Sequence, residues 1–160
     1  MDIKKVMKLF EVLDRHVDWE WTHKTSDQWS AIFSVDDRTA FVTFDMQPNP
    51  FGEEFEGDDT VPDEVVIISF ITHKTNNYDT STTEITGTGN EFQIFATVAN
   101  IVGEFIKSQH PPALVFSAAS KEPSRVKLYK RFIKKLERSG YEEIFATSAN
   151  QMQTWLLVKE

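Results

Sequence analysis

The sequence predicts an α/β protein built on one mixed, mainly antiparallel sheet, and three observations carry that expectation. Before residue 74 the chain offers runs of aromatic and β-branched residues separated by turn signals, "WEWTHKTSDQWSAIFSV", "RTAFVTFDM" and "VVIISFITH". Between residues 65 and 119 an apolar strand, a Gly-x-Gly turn, a long apolar helix and a second apolar strand follow one another, which implies parallel pairing through a right-handed crossover. The chain then closes with two strand-like segments, "EEIFATS" and "TWLLVKE", joined by "ANQMQ". A sheet of this kind buries its apolar faces under helices, and helices on both faces are expected. At 160 residues a single domain spanning 1–160 is expected, able to bury roughly 70% of its unfolded surface.

Element by element, Ile3, Val6, Met7, Phe10, Leu13 and Val17 recur at helical spacing, so residues 2–16 should form an amphipathic helix with Asp2 near its start. Two antiparallel strands follow, the first broken near Ser26, with "VDDR" as the turn between them. Residues 47–64 hold three prolines, two glycines and seven acidic residues with no basic one, the composition of a loop. A buried strand is expected from Val65 to His73, and "KTNNYDTSTT" reads as a polar connection, with at most a strand end. From Glu91 to Ile106 apolar residues occupy nearly every side of a helix, which must therefore be covered on most sides. "HPP" stops that helix, and "ALVFSAAS" suits a central strand. Pro123 fits the first turn of the next helix and Gly140 its stop, with Val126, Tyr129, Phe132, Ile133 and Leu136 as the apolar stripe.

Composition narrows the function classes. The chain has no cysteine, which excludes a thiol nucleophile, a cysteine-ligated zinc site and a disulfide framework. No signal-peptide core and no run of about 18 apolar residues is present, so a cytoplasmic protein without a membrane span is expected. The net charge of −8 conceals a basic segment: residues 121–138 carry eight Lys and Arg against Glu122 and Glu137, a net of +6, leaving −14 for the rest. An acidic chain with one basic helix is unlike a general nucleic-acid coat. No histidine pair has metal-ligand spacing, and the acidic loop lacks the order of a calcium loop, so no metal is expected.

The turn Gly87-Thr88-Gly89 opens directly into the long apolar helix, and glycines at a helix start leave N–H groups able to cradle an anion. Phe92 stands where a dinucleotide fingerprint would need its third glycine. The order of strand, Gly-containing loop, helix, strand and helix resembles the GCN5-related N-acetyltransferase (GNAT) fold, in which that loop follows the fourth strand and receives the pyrophosphate of acetyl-CoA. "KLYKRFIKKLERSGY" is similar to that family's second helix, through Leu128-Tyr129 and Gly140-Tyr141. Here the interval from the tyrosine to the glycine is about seven residues longer, close to two helical turns, so Tyr129 keeps its face. The family's Gln or Arg three positions before the first glycine is Glu84 here, a carboxylate where a pyrophosphate would lie. "TGTGNEFQIFATV", "VFSA", "EPSRVKLY" and the final "GY" also resemble a group of small, mostly uncharacterised tailed-bacteriophage proteins, over residues 85–141.

The resemblance implies an acyl-CoA-dependent N-acyltransferase or a degenerate relic of one, with acetyl-CoA as its cofactor and, for a phage product, the host cytoplasm as its location. Gly87, Thr88, Gly89 and Asn90 would hold the pyrophosphate, and Tyr129 would be the proton donor. Arg125, at a helix start, suits a phosphate or carboxylate. For the base, His73 at the end of the fourth strand titrates near neutrality, and Glu64 at its beginning is the other choice. Each has a structural counterpart: a tyrosine on an apolar stripe packs in a core, a histidine at a strand end is a polar terminus, and Arg125 is part of a capping segment. The alternative function is a non-catalytic accessory protein that binds a host or virion protein through the basic helix or the acidic loop.

Overall fold

The computed structural model describes residues 16–51, 61–74, 77–82, 91–119, 123–149 and 151–160. The expected helix over 2–16 lies outside the described residues. The described elements are strands β1 (Trp19–Lys24), β2 (Gln28–Val35), β3 (Arg38–Pro48), β4 (Glu64–Lys74) and β5 (Asn77–Thr82), helix α1 (Glu91–Gln109), strand β6 (Ala113–Ala119), helix α2 (Pro123–Glu137), and strands β7 (Tyr141–Ala149) and β8 (Met152–Lys159).

All eight strands join one sheet in the order β1-β2-β3-β4-β6-β8-β7, with β5 attached to β4. The expected break near Ser26 separates β1 from β2: the Thr25 N–H donates to the carbonyl of Gln28 at 2.9 Å, and the Thr25 hydroxyl accepts the N–H of Gln28 at 3.1 Å. "VDDR" is the β2–β3 turn, where Val35 pairs Arg38 and Asp36 takes φ 54°, a conformation that Asp tolerates in two-residue hairpins. Every adjacent pair is antiparallel except β4–β6, which is parallel. The sheet is therefore mixed and mainly antiparallel, as the sequence predicts.

Two features differ from the sequence reading. The segment taken as a polar connection contains β5, an antiparallel partner of β4 with Thr72 opposite Thr82 and Lys74 opposite Asn77. A strand there needs no apolar face of its own, because it is held by the backbone of β4. The second difference is the placing of the helices. Cross-strand register puts Phe33, Ala40, Phe70, Phe116 and Trp155 on one face of the sheet, and both α1 and α2 pack into that same buried cluster. Among the described residues, then, the helices share one face instead of flanking both.

The other face has a smaller cluster of Val65, Ala113, Val115 and Leu156, against which Phe51 and Val61 from the β3–β4 connection pack. Asn49 fastens that connection: its N–H bonds the carbonyl of Asp63 at 2.7 Å, and its side-chain oxygen accepts the N–H of Phe51 at 2.8 Å. Helix α1 ends on His110, whose φ of 48° returns its N–H to the carbonyl of Ile106 before Pro111 and Pro112. Gly140, with φ 105°, ends the α2 region as expected.

Candidate functional site

In a sheet with one parallel pair, the carboxyl ends of the two strands are where a ligand finds room, because the chain leaves both in the direction of helix starts. The pair here is short. Val66, Ile67 and Ile68 of β4 are in register with Leu114, Val115 and Phe116 of β6, and the pairing stops there. Strand β4 runs on to Lys74 against β3, and β6 runs on to Ala119 against β8. The two strands thus part after Ile68 and Phe116, leaving Ser69–Ile71 and Ser117–Ala119 facing one another across an opening. Because β3 covers one whole edge of β4, β5 has to share the other edge with β6, and it takes up that edge again at Thr72.

Continuation of the register would have made Ser69 and Ser117 the next pair, so the parting begins at two half-buried hydroxyl residues on the face away from the helices. The Ser117 hydroxyl shares a hydrogen bond of 3.0 Å with Thr154 of β8. Each serine interrupts an apolar run, "VVIISFITH" and "ALVFSAAS", which in the sequence read as plain strands. At the far end of β4, Thr72 is fully buried and accepts a long bond of 3.5 Å from the Arg38 guanidinium.

Tyr129 lies under the point of parting. It is 0% exposed, with its ring 5.2 Å from that of Phe116 and 6.3 Å from that of Trp155, on the helix-bearing side of the sheet. The apolar spacing of α2 dictates this position, since Val126, Tyr129, Phe132, Ile133 and Leu136 all turn inward and are buried. His73 is not brought to the same point. It is in register with Thr39, five residues beyond Ile68, which is roughly 16 Å along an extended strand. Glu64, exposed and opposite Pro48, is at the other end of β4, so the two candidate bases cannot act together. Gly87, Thr88, Gly89 and Asn90 lie outside the described residues. Arg125 is in the first turn of α2, and its side chain likewise lies outside them. The remaining histidines, His16, His23 and His110, are exposed.

Tyr141 is a described group whose acidity shifts clearly. Burial pushes its phenol up from the usual 10, and its hydroxyl donates a 2.7 Å bond to the carbonyl of Pro111. It ties the turn after α2 to the turn after α1, remote from the opening.

Comparison with curated proteins finds no match. A family match does exist, over residues 55–157, which takes in everything from the acidic connection to β8 and therefore both walls of the opening. The chain belongs to the family described as "Family of unknown function (DUF6934)".

Proposed function

We propose that the protein is a phage-encoded, acetyltransferase-like (GNAT-like) domain whose opening between β4 and β6 takes an acyl-CoA, either as an N-acyltransferase or as a degenerate relic of one. The observation that carries this reading is the single parallel pair that parts after Ile68 and Phe116, with Tyr129 packed directly beneath. Helix α2 follows β6, whose carboxyl end borders the opening, so the start of α2 lies where an anionic group is favoured. In this reading the backbone N–H groups of Gly87 to Asn90 hold the pyrophosphate and Arg125 pairs with a phosphate. Acetyl-CoA would supply an activated thioester. The chain's part is to position it, to take a proton from the attacking amine through His73 and to return one to the departing sulfur from Tyr129.

The test is calorimetric titration with acetyl-CoA. Saturable heat in the micromolar range, abolished by Gly89→Trp with folding intact, is the expected result. No heat at millimolar ligand ends the acyl-CoA reading.

A second reading, a non-catalytic accessory protein that binds a host or virion protein, draws support from β5. That strand re-pairs with β4 at Thr72 and leaves only Ser69–Ile71 of the β4 edge open. Tyr129 without exposed surface and Glu84 beside the glycine turn favour the same reading.

A further inference from the structure

The cations of α2, with Arg138 just past its end, form one surface. Lys127, Lys130, Arg131, Lys134 and Arg138 are exposed and Lys135 is half-buried, while the intervening Val126, Leu128, Tyr129, Phe132, Ile133 and Leu136 are buried in the core. At 100° per residue the six cations fall within one outward arc and extend over about 16 Å of helix axis. Glu137 is the lone acidic residue of the helix and lies at the edge of that arc. Among the described residues no carboxylate forms an ion pair with any of the six. Arg131 instead lies over the Phe95 ring at 5.7 Å, which holds its guanidinium against the surface.

The described ends of the chain's acidic connection lie on the other side of the sheet. Phe51 and Val61, which flank residues 53–60, pack against Val65 and Val115 on the sheet face opposite to the helices. Among the described residues the stripe has no carboxylate partner, on a chain whose remainder carries −14.

We infer that the outer face of α2 is a docking surface for a short acidic segment of another protein, with carboxylates spaced at about one helical turn. This deepens the second reading of function, since it names the surface and the chemistry of that partner. The stripe's length decides against a nucleic acid. A polyanion that runs past both ends of a 16 Å stripe finds no further cations to pair on a chain whose remainder is net acidic, and contacts beyond a Debye length of about 8 Å are screened at physiological salt. A short carboxylate segment ends where the cations end. The exposed face of α2 also offers no aromatic platform for stacking bases, because its aromatic residues Tyr129 and Phe132 are both buried.

The experiment is fluorescence anisotropy with a labelled twelve-residue oligoglutamate peptide, set against a twelve-nucleotide oligodeoxythymidylate. The peptide is expected to bind at 100 mM salt, to weaken as salt rises, and to bind at least tenfold more weakly to Lys127→Glu/Lys130→Glu/Lys134→Glu/Arg138→Glu. If that variant fails to fold, Lys130→Ala/Lys134→Ala is expected to show a threefold loss. Equal binding by wild type and variant overturns the assignment to α2 while leaving a partner-binding role elsewhere on the chain. Tighter binding of the oligonucleotide overturns it in favour of nucleic acid. Self-association in sedimentation velocity without peptide, lost in the variant, overturns it in favour of a second copy. Absence of peptide binding by the wild type overturns it outright. Acetyl-CoA titration of the same variant is expected to match wild type, so a failure here is separable from a failure of the acyl-CoA reading.

Discussion

Two residues carry structural predictions that are independent of function. Tyr141 is 1% exposed and its hydroxyl satisfies the Pro111 carbonyl, so Tyr141→Phe leaves a buried acceptor without its donor. The expected cost is about 1–3 kcal/mol in urea unfolding. The same phenol shapes stability at alkaline pH. Burial raises its folded pKa above the unfolded 10, so the native state holds a proton that the unfolded state releases. Stability is unaffected by this group below pH 10 and falls above it, by up to about 1.4 kcal/mol per pH unit. Tyr141→Phe should flatten that alkaline decline, which unfolding at pH 9 and pH 11 measures directly. His110 is the converse case, because its φ of 48° costs a residue with a Cβ what glycine adopts freely. His110→Gly is expected to raise stability by about 0.5–1 kcal/mol, read as a higher urea midpoint at unchanged slope. The sequence marked Gly140 as the stop of α2, but pointed to Tyr141 only through a resemblance. That the phenol serves Pro111 was not legible, because 30 residues separate the partners and no periodicity links them.

At the scale of elements, legibility followed the kind of signal each segment carried. The α1 and α2 stripes and the β4 and β6 runs were readable because burial imposes a period or an unbroken apolar run. Strand β5 was not, since "NYDTST" owes its conformation to the β4 edge and has no apolar alternation of its own. Nor was the common face of the two helices: helical spacing identifies which side of a helix is apolar, and is silent on which side of the sheet receives it. The parting of β4 and β6 left only two serines as its trace. It makes a prediction about the backbone that holds whatever ligand is involved. Along the β4 edge turned away from β3, amides within Val66–Ile68 are protected by the parallel ladder, whereas those within Ser69–Ile71 face the opening. Hydrogen exchange should therefore be markedly faster in the second group, while amides of the same stretch turned toward β3 stay protected. Uniform protection along both edges would mean that the opening is sealed by a partner strand.

For the molecule as a whole, the distribution of buried surface sets where stability resides. The helix-bearing face holds the large cluster, with Phe44 stacked on Phe105 at 4.1 Å and Phe95 on Phe132 at 5.1 Å, so the two helices and the sheet are joined by aromatic contacts. The apolar cluster of the opposite face has four buried residues among those described, covered in part by Phe51 and Val61 at the ends of the β3–β4 connection. Ile71, on that face, is 45% exposed. Truncation should report this asymmetry. Phe132→Ala removes a fully buried ring at the junction of α1, α2 and β6, and the cavity it leaves is expected to cost about 3–5 kcal/mol. Phe51→Ala removes a partly buried ring from a connection whose backbone is still fastened by Asn49, and is expected to cost about 1–2 kcal/mol. Urea unfolding of both variants measures the difference, and an unchanged denaturant slope ties it to the native state. A cost for Phe51→Ala equal to that of Phe132→Ala would mean that the face away from the helices is packed as a second full core, and that the acidic connection is a structural layer of the molecule.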